Sequence, residues 1–169
     1  MWQPRYRECL LTVLAFLCTV PFCSATELSV FRLKKATFQP VALHACRVVL
    51  SDATLECASV DDQTLPSCYA TNKPFLCTLA TCLQNHSQNL SLAQIDSFWS
   101  QYAVGWAQNQ PEPSLSYLQA LVAAGVPSLI IGRGSFITSP SLISEEDFQR
   151  AYNTISTWIR SEISQAVYS

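Results

Sequence analysis

A small, mostly α-helical, disulfide-stapled domain following a cleaved signal peptide is the fold class that this sequence predicts. Three observations predict it: a charged, then apolar, then small N-terminus; five cysteines in the chain beyond it; and apolar residues recurring every three or four positions. In the leader, Arg5 and Arg7 precede a run of 13 almost wholly apolar residues, Leu10 to Phe22, and Cys23, Ser24 and Ala25 follow. A spanning helix needs about 20 apolar residues, and Pro21 beside a cluster of small ones suits cleavage better than a membrane exit. Residues 1–25 are therefore expected to be a signal peptide cut after about Ala25, and residues 26–169 an extracellular helical domain. The protein is expected to be secreted or to lie on the outer face of the plasma membrane.

That remainder has 144 residues, with 8 Lys and Arg against 11 Asp and Glu, a net charge near −3. Its only basic cluster, Arg32, Lys34 and Lys35, is too small to track a phosphate backbone, so no nucleic-acid partner is expected. Cys9, Cys18 and Cys23 leave with the signal, and Cys46, Cys57, Cys68, Cys77 and Cys82 remain as disulfide candidates. An odd count leaves at least one thiol free or bound to another chain, and the connectivity stays open. The triplets Asn85-His86-Ser87 and Asn89-Leu90-Ser91 are glycosylation candidates, and glycans there require this stretch to lie at the surface.

In chain order, Ala42 to Leu50 favours helix because Ala and Leu dominate it. Asp52 to Ser67, rich in Asp, Ser and Thr, predicts a loop held by Cys57 and Cys68. Pro74 suits a first helical turn, and Phe75, Leu79, Cys82 and His86 then share one side, widened by Leu76, Ala80 and Leu83. On that helix Cys77 and Cys82 stand about 140° apart, so they cannot bond to each other. Ser91 with Gln94 forms a capping-box signature ahead of the stripe Ile95, Phe98, Trp99 and Tyr102, and Gly105 suits a stop. Leu115, Leu118, Leu121 and Val122 mark a short helix ended by Gly125 and Pro127. Residues 128–142 predict an irregular connector that leaves room for one short strand pair. The last helix opens at Ser144 with Glu145, Glu146 and Asp147 on its positive end, and its stripe runs through Phe148, Tyr152, Ile155, Ile159, Ile163 and Ala166.

No catalytic, cofactor-binding or metal site emerges. Gly132-Arg133-Gly134 is a two-glycine fragment of a phosphate turn, and a haem would have to use both histidines of the chain, His44 and His86. A Cys77, Cys82 and His86 trio has metal-like spacing, but Cys77 points away from the other two. Asp61 with Asp62, and Glu145 with Glu146, are explained as a solvated loop and as helix-start charge.

The segment Cys68 to Cys82 (CYATNKPFLCTLATC), followed by Leu92 to Trp99 (LAQIDSFW), resembles the extracellular N-terminal domain of fungal ferric reductases, the ferric-chelate reductase transmembrane proteins. Asp147 to Tyr168 is similar to that family's pre-membrane helix, with Glu162, Ile163 and Tyr168 at the expected mutual spacing. The resemblance covers about Cys46 to Tyr168. It departs at Ser87, where the family has Cys, at Cys77, where it has Thr, and at Gln165-Ala166, where it has His-Ser. It implies that Cys77 takes over the role of the missing cysteine. It also implies a non-catalytic extracellular region of a membrane protein of reductive iron uptake, whose NADPH, FAD and haem sites lie downstream. The implied partners are that protein's membrane portion and ferric chelates. The alternative expectation is a stand-alone secreted, cysteine-containing binding or effector protein.

Overall fold

The computed structural model describes residues 40–58, 66–107 and 109–168; the expected signal peptide, its cleavage point after Ala25, the basic cluster and Asp61-Asp62 lie outside them. The architecture is mostly helical and is braced by two disulfides. Helix α1 is Val41–Val49, closed by a 3-10 turn at Leu50–Asp52; α2 is Pro66–Thr71, α3 Lys73–His86, α4 Leu92–Tyr102 and α5 Tyr117–Ala124. Two short strands, β1 (Ile130–Ile131) and β2 (Leu142–Ile143), precede α6 (Glu145–Tyr168).

Helix α3 is the spine. All nine residues from Phe75 to Leu83 are buried, so this helix is covered on every side, mainly by α1, α5 and β2. A helix buried all round must be apolar or internally satisfied all round. Thr81 meets that demand by donating its hydroxyl to the Cys77 carbonyl (2.9 Å), and Thr78 by accepting from the Ser141 N–H (3.0 Å). The helix begins where the sequence says it should: Asn72 accepts from the Phe75 N–H (2.9 Å), and Pro74 sits in the first turn, where no intrahelical donor is needed.

The stretch before Asn72 is not loop throughout. Pro66–Thr71 makes a short helix, and the Asn72 N–H bonds to the Cys68 carbonyl (2.9 Å), so Asn72 closes α2 and caps α3. Ahead of it, Thr54 forms an isolated parallel bridge with Phe136. The capping box at Ser91 and Gln94 forms in both directions, and Ile95, Phe98 and Trp99 are buried as their spacing predicts.

Helix α5 lies in its expected place, but of the residues that marked it Leu115 and Leu121 pack partly against the core and Leu118 and Val122 do not. Leu118 and Val122 are 49% and 82% exposed, while Tyr117, Ala120 and Ala124 are buried. Polar anchors and small side chains account for this facing. The Tyr117 hydroxyl bonds to Gln84 Oε1 (2.9 Å), Trp99 Nε1 donates to the Leu115 carbonyl (2.9 Å), and the two alanines let α5 approach α3 closely. Gly125, at φ 62°, turns the chain away.

The connector holds the strand pair that its composition left room for. The strands run parallel, with Ile130 opposite Leu142 and Ile131 opposite Ile143. Helix α6 then packs along α1 through Phe148, Ala151, Ile155 and Ile159; Tyr152, expected in this stripe, is 37% exposed, and Ala151 takes its place in the core.

Candidate functional site

The cysteines come first because they fix the spine. Cys46 on α1 bonds to Cys82 on α3, with Cα atoms 5.8 Å apart, and Cys57 bonds to Cys68 on α2, at 5.6 Å. Both separations are ordinary for a disulfide. Cys77, expected as a bridging candidate in place of a missing cysteine, is instead a buried free thiol, alone in this among the described residues. The physical reason is its bearing on α3: Cys82 points to α1 and Cys46, and Cys77 faces a different sector of the core. Burial pushes the Cys77 thiol pKa up, against a smaller opposing pull from Lys73, so the reactive thiolate is disfavoured.

Residues weighed for metal or haem chemistry take other roles. Cys82 is consumed by its bridge, which removes it from any trio with Cys77 and His86. His44 is wholly buried against the rings of Phe98, Tyr102 and Trp106, at centroid distances of 4.9, 5.1 and 5.2 Å. His86 stacks on Phe148 at 3.5 Å, with Glu145 Oε2 3.8 Å from its Nε2. Burial lowers the His86 pKa, and Glu145 partly opposes that shift. Among the described residues no group of three or more His, Cys, Asp or Glu is placed to hold a metal ion.

The acidic start of α6 is engaged in structure. Arg150 pairs with Glu146 (2.8 Å) and Asp147 (3.4 Å), one turn along the helix. The Asp147 carboxylate also accepts from the Arg133 N–H (3.1 Å), while the Arg133 side chain pairs with Asp52. The Gly132-Arg133-Gly134 turn thus spends its Arg133 backbone donor on a carboxylate of the same chain, so that donor is not offered to a phosphate.

One residue with an unusual environment escaped the sequence reading. Arg47 is only 3% exposed; its Nε donates to the Ala103 carbonyl (3.0 Å) and its Nη2 to the Val104 carbonyl (2.7 Å). The guanidinium lies over the Tyr69 ring at 4.5 Å and within 5.4 Å of the Phe75 centroid. These carbonyls end α4, where the helix dipole is negative, so the cation satisfies the helix terminus and ties it to α1 and α2. Burial lowers the Arg47 pKa, and the neighbouring Tyr69 opposes this. The available signal was one Arg inside the apolar run ALHACRVVL.

The surface supplies two more features. Asn85 and Asn89 are both exposed, as glycan acceptors must be. Leu118, Val122, Val126, Leu129 and Ile130 are all large, apolar and about half exposed or more. Among the described residues no helix is long and apolar enough to cross a membrane. Taken together, two disulfides brace the helices, and Arg47, Arg133, Arg150 and the acidic residues at the start of α6 hold helix ends and turns. Compared with protein families, with curated proteins and with solved structures, the chain finds no match.

Proposed function

We propose that the chain serves as the extracellular, non-catalytic N-terminal region of a ferric reductase-like membrane protein of reductive iron uptake. In this reading it is a rigid cap beside the outer face of the membrane portion, in reach of incoming ferric chelates. The observation that carries the proposal is the role of the segment resembling that family. Cys68 and Cys82 each bridge to a different upstream segment, and Phe75, Leu76, Leu79 and Ala80 between them are wholly or almost wholly buried. Residues used in this way carry a scaffold and not a reaction. Two disulfides in a small domain also suit an oxidising compartment.

The test is to read the transcript past the codon for Ser169. Apolar spans of about 20 residues with paired histidines are expected there. A stop codon at that point would instead favour a secreted binding or effector protein, for which the exposed set Leu118, Val122 and Val126 offers a contact surface. Cells expressing the longer protein are then assayed for ferric-chelate reduction, which deletion of residues 40–168 should alter in chelate dependence without removing the electron path.

A further inference from the structure

The two glycosylation triplets have the same form but very different surroundings. Asn85 lies in the last turn of α3, and its triplet is held at three points. The middle residue, His86, is stacked on Phe148 at 3.5 Å; Ser87 donates to the Gln84 carbonyl (3.4 Å); and α3 itself is tied to α1 by Cys46–Cys82. Asn89 lies between helices, exposed and at φ 68°, a left-handed conformation that asparagine tolerates. Its triplet ends at Ser91, whose backbone is extended (φ −75°, ψ 153°) and whose hydroxyl is engaged only by Gln94 at the start of α4.

A glycosyl-transfer enzyme must draw the asparagine amide away from the protein surface and hold the downstream hydroxyl. Presenting Asn85 in that way unwinds the end of α3, lifts His86 from Phe148 and strains a disulfide-anchored helix. Presenting Asn89 releases the Ser91 cap, the bond from the Leu90 N–H to the Ser87 carbonyl (2.9 Å) and the partial packing of Leu90 on the core, but unwinds no helical turn. The Cys46–Cys82 anchor needs no segment beyond α3, whereas the His86–Phe148 stack forms only once α6 has followed, so α3 withholds Asn85 most fully from transfer that comes after the domain has closed.

We propose that Asn89 is the glycan-bearing residue of the exported protein, and that Asn85 stays largely unmodified because α3 withholds it. In the reaction, Asn89 Nδ2 bonds to the anomeric carbon of a lipid-pyrophosphate-linked oligosaccharide. That carbon's bond to the phosphate oxygen breaks, the lipid pyrophosphate departs, the amide gives up one proton, and nothing is oxidised or reduced. The inference rests on the export reading above, and the experiment separates the two.

The full chain is sent into a eukaryotic secretory pathway twice, once behind its own leader and once behind a foreign cleavable one. Occupancy at each asparagine is read by mass spectrometry after enzymatic deglycosylation in heavy-oxygen water. Asn89 is expected to be about fivefold more occupied than Asn85, the factor set by withdrawing one marginal helix turn. In Asn89→Gln, Asn85 should stay low; in Cys82→Ser, which loosens α3, Asn85 should rise severalfold.

Equal occupancy, or an unmodified Asn89 behind the foreign leader, overturns the proposal. So does an Asn85 that reaches Asn89's level in Asn89→Gln, since the two sites would then merely compete. Retention of only the form with its own leader refutes the export reading, while the foreign-leader form still ranks the two asparagines.

Discussion

Replacing Arg47 by Met decides whether its buried cation holds the structure together or only burdens it. Two effects oppose each other. Taking a guanidinium out of water is expensive, and burying well-packed apolar atoms instead is often neutral or stabilising. Against that, Met leaves the carbonyls of Ala103 and Val104 without the donors they now have at 3.0 and 2.7 Å, in residues that are 0% and 2% exposed. Each charge-assisted bond is worth about 1.5–3 kcal/mol, and a buried acceptor stripped of its donor costs about 1–3 kcal/mol. The ring contact with Tyr69 adds roughly 1 kcal/mol. With desolvation relief subtracted, Arg47→Met should lose about 3 kcal/mol, which for a domain of this size lowers Tm by about 10 °C. Arg47→Lys should fall between, because a point charge reaches one carbonyl but not both. Urea unfolding with the disulfides intact measures the difference, with the slope checked for constancy. A Met variant as stable as the parent, or more stable, would refute the reasoning and show that the α4 terminus does not depend on this donor.

Other outcomes follow from the same structure. Removing Cys46–Cys82 by paired alanine substitution opens a sequence separation of 36 and should cost about 4 kcal/mol, against about 3 kcal/mol for Cys57–Cys68 at a separation of 11. An inverted order in urea midpoints would contradict the chain-entropy account. Because the folded His86 pKa lies below its ordinary 6.5, the unfolded chain binds the proton first. Stability from this group is therefore complete above about pH 6.5 and is lost as pH falls below it toward the folded value. His86→Gln should flatten the difference in urea midpoint between pH 7.5 and 5.5, and an unchanged difference counts against burial as the cause. Leu79→Ala, at a wholly buried site, should cost about 2–5 kcal/mol, whereas Val122→Ser should stay within about 0.5 kcal/mol. A large loss at Val122 would mean that α5 turns the other face to the core.

Much of the helical layout was legible because caps and stripes are local. Ser91 with Gln94, and Pro74, announce helix starts that the structure keeps, and the structure adds Asn72 as the cap ahead of Pro74. The facing of α5 was only partly legible, because nothing local separates Leu121, which packs against the core, from Leu118 and Val122, which do not, or marks Tyr117, Ala120 and Ala124 as its buried side. Its orientation is set by long-range polar contacts, Tyr117 to Gln84 and Trp99 to Leu115, which no local window contains. The same is true of Arg47, whose partners lie 56 and 57 residues away. Five cysteines beyond the expected leader imply a leftover thiol, but only the bearing of Cys77 on α3 relative to Cys82 identifies it among the described residues.

That hidden thiol also governs how the chain finds its own bridges. A spare thiolate attacks existing disulfides and shuffles them. In any mispaired isomer that leaves another cysteine unpaired outside the core, the attacker remains available and the wrong bond stays vulnerable. Once Cys77 is sealed inside, the described residues offer no exposed thiol to attack with, and the isomer with both bridges formed becomes one from which their exchange no longer departs. Rearrangement among the described cysteines thus has a built-in stopping condition: the fold that pairs Cys46, Cys57, Cys68 and Cys82 is the one that silences Cys77.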